Sequence, residues 1–452
     1  MQIDQIHLKN VGPFNDARIV LPPGTNPDLA DVYLLTGPNG SGKSTVLYAL
    51  AGIIGCGAGK LGADLVSQRL RSADSIAAFA VDQYCRATAW WSDLTGQANE
   101  PVNPFGFSEL FAFAHLSASG NYQSAPHAIH DYWDRARQFD MKAPVETRPK
   151  FSWAAIAYAG MRSVSDANVA AIQEPTDSPF ENSLSFVQTA DTNRLAQWIA
   201  NQEFKRLKAK DRGDVARAEQ LALSIRDIER IVAEIIDDEH FAFVTGVDDN
   251  NVRVRRNGVV IDMGLLPDGL KSIVSWIADL LMRLDRIPWI DDTPPTQRPF
   301  LLLLDEIDIH LHPSWQRKIL PIVQRVFPKA QIIASTHSPF VVASVNDAHI
   351  ITLKVENGVA EVEDIVPSQV GVSYSAVLRS IFGIESDFSI EIEQAFAEFH
   401  EAKHALLSGA TTDRTQTQLL AEKLARCGEE VEQLIAIELR QLDRQLAKRG
   451  TP

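Results

Sequence analysis

The run Gly37-Pro38-Asn39-Gly40-Ser41-Gly42-Lys43-Ser44-Thr45 has the spacing G-x-x-x-x-G-K-[ST]. Glycines at these positions let successive backbone N–H groups converge on an anion. The helix that must follow points its positive end at the same place. Asn39, Gly40, Ser41, Gly42, Lys43, Ser44 and Thr45 therefore read as a phosphate cradle. Lys43 would neutralise β/γ-phosphate charge, and the Ser44 hydroxyl would ligate Mg²⁺.

Far downstream stands Phe300-Leu-Leu-Leu-Leu-Asp305-Glu306. Four leucines in a row make a strand buried on both faces, and such a strand presents its ligands at its C-terminal end. Asp305 would bind Mg²⁺ through water. Glu306 would polarise an attacking water, a general-base role worth roughly 10²–10⁴ in rate. His337 in STHSPF follows a third apolar strand, QIIAS, at the same kind of strand end, where it can reach a γ-phosphate or the water. Asp308, His310 and His312 alternate in DIHLH and invite a zinc reading. Structural zinc asks for four converging ligands, and the cysteines lie elsewhere, so a polar loop at a subunit contact is the better expectation.

A series of elements along the chain must hold these residues. DVYLLT is a short buried strand before the glycine-rich loop. The helix after it, with Val46, Leu47, Ala49 and Leu50 apolar, packs on a sheet. QIHLKN, with Ile6 and Leu8 inward, and DARIVL supply two earlier strands. Residues 55 to 150 carry scattered Gly, Pro and aromatics and read as an irregular insertion with a few short helices. FSWAAIAYAGMRS reads as a strand returning to the sheet, with Arg162 in the loop behind it. Residues 191 to 238 are helical, with Leu221, Ile225, Ile228, Val232 and Ile235 forming a heptad-like seam. A helix packed on its own domain outweighs a dimerising coil. NNVRVRRNGVVIDMG is a hairpin turning at Asn257-Gly258, with Arg253, Arg255 and Arg256 on a solvated face. LPDGLKSIVSWIADLLMRL is a helix. The last 75 residues read as a helical hairpin with a charged outer face.

The totals narrow the class. The 452 residues allow two or more domains and a large core. A net charge of −15 argues against a chain that coats nucleic acid, although a local DNA contact stays open. No run of about 18 apolar residues is present, and MQIDQIHLKN lacks the apolar core of a signal peptide, so neither a membrane partner nor export is expected. Cys56, Cys85 and Cys427 are far apart without metal spacing, which fits a reduced, cytoplasmic setting.

These motifs together resemble the ABC-type ATPases of the SMC/RecF/OLD-like group, over about residues 1–54 and 259–382. GPNGSGKST is similar to their Walker A sequence, LLLLDE to Walker B, IDIHLHPSWQ to the D-loop, and STHSPF to the switch-histidine loop. LPDGLKS occupies the place of the signature. The resemblance implies an α/β fold: a P-loop NTPase head of ABC type with a mixed sheet, a helical insertion and a helical C-terminal hairpin. It implies ATP and Mg²⁺ as ligands. It also implies a head-to-tail ATP-sandwich homodimer, or a higher homo-oligomer, in which Asp268, Gly269 and Ser272 of one subunit cap ATP on the other. HLHPSWQ, THSPF and the short helical C-terminus most resemble ATPases of bacterial anti-phage systems of Septu and retron-associated type, which pair with a separate nuclease or toxin effector.

Three departures stand out. The usual signature serine is Pro267. The loop after AYAG offers Arg162 in place of a Q-loop glutamine. The long coiled coil and the Toprim nuclease domain are missing. The expected division is 1–54, an N-terminal lobe; 55–240, the insertion; 241–384, a C-terminal lobe; and 385–452, a helical segment. Anti-phage ATPase with a separate effector is the leading expectation. A RecF/SMC-type repair or recombination ATPase, and a nucleotide-gated scaffold with slow hydrolysis, are the alternatives. A transporter ATPase is disfavoured, because Lys43 and Gly269 are 226 residues apart, and transporter subunits resemble one another in a gap less than half as long.

Overall fold

In the computed structural model, residues 2–55, 135–160, 172–186, 190–246, 251–369, 371–384, 388–411 and 413–449 are described, together with strands 76–81, 112–117 and 122–124 and a few single positions. The chain divides into two compact units, residues 1–377 and 378–452.

The first unit is built on one mixed sheet. In chain order its strands are β1 (Ile3–Val11), β2 (Phe14–Val20), β3 (Asp31–Thr36), β4 (Ile76–Val81), β5 (Ala112–Ser117), β6 (Tyr122–Ser124) and β7 (Ala154–Tyr158). After a separate three-stranded sheet of β8 (Ala242–Thr245), β9 (Val252–Arg256) and β10 (Val259–Asp262) come β11 (Phe300–Leu304), β12 (Ala330–Ser335), β13 (Ala348–Glu356) and β14 (Val359–Pro367). The spatial order is β6-β5-β4-β1-β2-β14-β13-β3-β12-β11-β7. From β13 to β7 every neighbour is parallel. From β6 to β2 every neighbour is antiparallel.

The parallel half is largely apolar, as a sheet covered on both faces must be. Val32, Leu34, Leu302, Leu303, Leu304, Ile332 and Ile333 are all fully buried. The expected burial of Ile6 and Leu8 in β1 holds as well. The insertion departs from expectation. Where composition suggested irregular chain with short helices, residues 76–124 supply three antiparallel strands that extend the sheet beyond β1. The pairings of β4 with β1 and with β5 are long-range, so no local pattern announces them, whereas β5 and β6 pair as neighbours in the chain. Arg162 lies outside the described residues.

Helix α1 (Lys43–Gly55) follows β3. The 191–238 stretch is two helices, α2 (Thr192–Asp211) and α3 (Val215–Ile236), started by Asp191 and Asp214 as N-caps. The seam residues Leu221, Ile228, Val232 and Ile235 are buried in their own domain. Asp237, at the C-terminal end of α3, pairs with Lys318, and Glu234 pairs with Arg325 at 2.6 Å, both on α5 (Pro313–Val326). Helix α4 (Asp268–Arg286) has nearly every residue buried from Gly269 to Leu284. The β9–β10 hairpin turns at Asn257 and Gly258, both at positive φ, and Arg253 is held by Asp249 and Asp262.

The second unit holds α6 (Ile390–Ser408), α7 (Thr415–Ala425) and α8 (Glu429–Arg449). The second arm of the expected hairpin is broken at Cys427-Gly428 into two helices. Ala395, Phe399, Leu420, Leu424, Val431 and Ile435 form a core of their own.

Candidate active site

Four consecutive parallel strands deliver the chemistry to one edge of the sheet. Leu35 of β3 lies beside Ser335 of β12, and Leu304 of β11 lies beside both Ala334 of β12 and Tyr158 of β7. The chain therefore leaves β3 into Gly37, β12 into His337, β11 into Asp305 and Glu306, and β7 into Gly160, all at the C-terminal ends.

The glycine-rich loop closes as its residue types demand. Gly37 is at φ +138°, and a Cβ there would stand 2.2 Å from the Leu353 carbonyl oxygen. Asn39 and Gly40 are exposed at the loop's tip, while Ser41, Gly42, Lys43 and Thr45 are buried. The buried Ser41 hydroxyl has no hydrogen-bond partner. Lys43 Nζ donates to the Gly37 and Pro38 carbonyls, each at 2.9 Å, so its charge sits inside the ring of loop amides.

One carboxylate oxygen joins the loop to the downstream strands. Asp305 Oδ1 accepts from Ser44 Oγ at 3.0 Å and from Ser335 Oγ at 2.6 Å. The same Ser335 oxygen accepts from the Glu306 backbone N–H at 2.7 Å. Glu306 stands at φ +47°, a left-handed conformation that costs a residue with a side chain about 1 kcal/mol or more. Strain of that kind persists only where the surroundings dictate it.

The next turn is equally organised. Asp308 Oδ1 accepts from Thr336 Oγ1 at 2.6 Å and from the His337 backbone N–H at 3.2 Å. Gln316 donates to the Asp308 and Leu311 carbonyls and accepts from Ser338 Oγ at 2.7 Å. The loop carrying Asp308 and the loop carrying His337 thus form one hydrogen-bonded body. His312 caps α5, its Nδ1 accepting from the Ser314 backbone N–H.

Lys43, Ser44, Asp305, Glu306 and His337, the residues expected from sequence, come together. Asp268, Gly269 and Ser272 lie at the start of α4. Asp268 is exposed, and a Cβ on Gly269 would lie 2.5 Å from the His310 carbonyl oxygen. Ser272 is buried, with no partner for its hydroxyl. Pro267 is the N-cap of α4 and offers no side-chain cap.

Sequence reasoning missed four contributors. Ser335 and Asp308 lay inside motifs already singled out, but nothing local marked them as the bonding centres. Tyr48 is one helical turn after Ser44, so it shares that face of α1. It meets Phe186 edge-on at 4.5 Å, and Arg69 lies 4.4 Å over its ring. Gly160 gave no signal at all.

Charge in the site follows burial. Loss of water pulls the Lys43 ammonium below its ordinary pKa, against the pull of Asp305, Glu306 and Asp308. Partial burial of the ring, then the Lys43 charge, lowers His337, although much of that side chain faces solvent. Burial and the Asp305 charge push the Tyr48 hydroxyl up to about 12. The donor set suits Mg²⁺, a hard cation served by one or two protein oxygens plus phosphates and water. Ser44 Oγ and Asp305 Oδ1 already converge within 3.0 Å. With a neutral His337, a buried ammonium and an exposed-side carboxylate, the site can hold a polyphosphate and direct a water at it.

Comparison with known proteins gives three kinds of likeness. Residues 151–343 match the family model described as "AAA domain, putative AbiEii toxin, Type IV TA system", and residues 5–72 match one described as "AAA domain". The chain is 32% identical over 126 residues to the "Retron Ec83 probable ATPase" of Escherichia coli, covering 26% of this chain and 23% of that protein. It is 34% identical over 110 residues to the "Septu protein PtuA" of Bacillus thuringiensis, covering 23% of this chain and 27% of that one. The matches thus span about a quarter of the length of these relatives. Among solved structures, an SMC head bound to the C-winged helix domain of ScpA aligns over 81% of this chain and 98% of its own, at 14% identity and a TM-score of 0.45.

Proposed function

We propose that this chain, an ABC-type P-loop ATPase of the SMC/RecF-like group, binds ATP at Lys43 and Ser44 and hydrolyses it to ADP and phosphate. The observation that carries the reading is the junction at Asp305, whose one carboxylate oxygen is shared by Ser44 of the phosphate loop and Ser335 of the neighbouring strand.

Glu306, fixed through its backbone by Ser335, accepts the proton of the attacking water. The water oxygen bonds to the γ-phosphorus as the bond to the β-phosphate oxygen breaks. Lys43 offsets the negative charge on the phosphates. His337, neutral at pH 7 because its pKa is lowered, donates or accepts a hydrogen bond at the γ-phosphate without adding charge. Ser44 and Asp305 would hold Mg²⁺, which would supply further neutralisation of phosphate charge.

In this reading the working form is a homodimer, or a higher homo-oligomer, in which the start of α4 faces the nucleotide of a second copy. The stretches shared with a retron ATPase and with Septu PtuA favour a place in bacterial anti-phage defence, alongside a separate effector such as a nuclease or toxin. A DNA contact belongs to the same proposal. No helix among the described residues is long and apolar enough to cross a membrane.

A second reading has one observation in its favour. Pro267 stands where this group usually has a serine, and it leaves α4 without a side-chain cap. A missing hydroxyl at that point favours slow hydrolysis, so that the nucleotide locks an assembly rather than drives a cycle.

Three proteins decide the matter: the parent, Lys43→Ala and Glu306→Gln. Binding of a fluorescent ATP analogue, steady-state phosphate release with and without DNA, and light scattering are measured on each. The parent should bind ATP, K43A should not, and E306Q should bind, slow by at least about tenfold and accumulate as a dimer. A parent without affinity for adenine nucleotides, or an E306Q variant hydrolysing at the parent rate, defeats the proposal. Fast, DNA-stimulated turnover counts against the scaffold reading.

A further inference from the structure

The segment after β7 lies against the reacting carboxylate more closely than any side chain would permit. A Cβ built on Gly160 would stand 2.6 Å from Glu306 Cβ, 2.8 Å from Glu306 Oε2 and 3.4 Å from the Asp305 carbonyl oxygen. Gly160 is not at positive φ, so its backbone is open to any residue. The space next to Glu306, not the backbone conformation, is what demands glycine here.

Neither side of this contact is free to retreat. The Asp305 backbone N–H donates to the Tyr158 carbonyl at 2.9 Å, which ties β11's exit to β7's exit. The Glu306 N–H donates to Ser335 Oγ, and the Ile307 N–H donates to the Ser335 carbonyl at 3.1 Å. On the other side, the Tyr158 hydroxyl donates to Asp279 Oδ2 at 2.8 Å, deep under α4. That oxygen also accepts from Arg283 Nε at 2.6 Å. Arg283 in turn donates to the Pro179 and Glu181 carbonyls. Tyr158, Asp279 and Arg283 are all at most 1% exposed. Movement of the 158–160 backbone would pull a buried charged network apart, a costly change.

We propose that Gly160 is a positioning residue for Glu306: its missing side chain leaves the room in which the carboxylate stands at the nucleotide, and the Tyr158–Asp279 bond keeps the wall from yielding. This rests on Glu306 acting as the base. One added methyl group would meet the Glu306 Cβ, an atom that side-chain rotation does not move, so relief has to come from a shift of the Glu306 backbone that carries the carboxylate from its place. The three atoms nearest the built Cβ belong to Glu306 and the Asp305 backbone, and the Ser44–Asp305 side-chain bond is not among them, so nucleotide binding is expected to be spared. The position thus separates holding ATP from splitting it.

The test compares the parent, Gly160→Ala, Glu306→Gly and the double variant. G160A should bind the fluorescent ATP analogue within about twofold of the parent. Its kcat should fall by at least about tenfold with KM little changed, since only a transition-state contact is lost. Thermal melting without nucleotide gives a readout independent of activity. G160A should lower Tm by about 2 °C in the parent but not in the E306G background, where the clashing Cβ is gone.

Parent-like turnover in G160A overturns the proposal, as does an equal Tm loss in both backgrounds. If the parent itself shows no turnover, the ATPase reading fails while the melting comparison still decides the contact. Should G160A alone not fold, a folded G160A/E306G protein supports the steric argument, and an unfolded one defeats it.

Discussion

Ser335 Oγ donates to Asp305 Oδ1 at 2.6 Å, and that bond is the hinge of the site. It joins two neighbouring parallel strands at the point where both leave the sheet. Because the same oxygen also receives the Glu306 N–H, a single hydroxyl sets both acidic residues. Ser335→Ala should therefore retain ATP binding and lose at least about tenfold in kcat: the Glu306 N–H loses its partner at about 1–3 kcal/mol, while Asp305 Oδ1 keeps its bond from Ser44 Oγ. Single-turnover phosphate release, compared with equilibrium binding, checks the split.

Asp308 fixes the approach of His337 through Thr336 and a backbone N–H. In Asp308→Asn one amide oxygen can still accept those bonds, whereas Asp308→Ala offers nothing. We expect D308A to resemble His337→Ala in turnover, D308N to keep most of the parent rate, and D308A/H337A to be little worse than either single variant. A double-mutant cycle in kcat reads this directly; additive losses would show that the two residues act separately.

The lowered pKa of His337 makes a pH prediction with a definite sign. A group whose folded pKa lies below its unfolded value adds stability above the unfolded value, near 6.5. That stability is lost as pH falls through the folded pKa. Stability of the parent should thus decline below about pH 6.5, and H337A should flatten part of that decline. Turnover should stay level through pH 6.5 and drop only further into acid, when the ring gains a proton beside Lys43. Urea midpoints and kcat/KM between pH 5 and 8 provide the measurement, since kcat/KM reports the free enzyme, and a kcat/KM inflection at or above pH 6.5 would contradict the assignment.

Asp279 is the acceptor for two buried donors, Tyr158 and Arg283. Asp279→Ala strands the Arg283 guanidinium in the core and should cost about 3–5 kcal/mol. Tyr158→Phe keeps the ion pair and should cost about 1 kcal/mol, with the loss falling more on kcat than on nucleotide affinity. Denaturant unfolding of the first unit, alongside turnover, distinguishes these.

Pro267→Ser restores a hydroxyl at the N-cap of α4, where the backbone at φ −57° and ψ 144° already suits a capping serine. If a second copy presents its nucleotide there, P267S should accelerate hydrolysis several-fold in a protein-concentration-dependent way. A purely structural cap would raise Tm and leave the rate alone.

The residues that touch phosphate could be found in the sequence because their chemistry is local. Backbone amides converge only through a short glycine-rich turn, and a strand buried on both faces must be an unbroken apolar run. The loop from Gly37 to Thr45, the strand ending at Asp305 and the strand ending before His337 all carry that signature within ten residues. What joins them is not local. That β3, β12, β11 and β7 lie side by side, that Ser335 falls between two carboxylic residues, and that Gly160 backs Glu306 all depend on strands brought together across hundreds of residues. The strands of the insertion escaped notice for a related reason, since the pairing of β4 with β1, on which β5 and then β6 build, rather than their own composition makes them strands. Periodicity and residue type settled which groups could act; the order of strands in the sheet, fixed by burial shared over the whole unit, decided which of them meet.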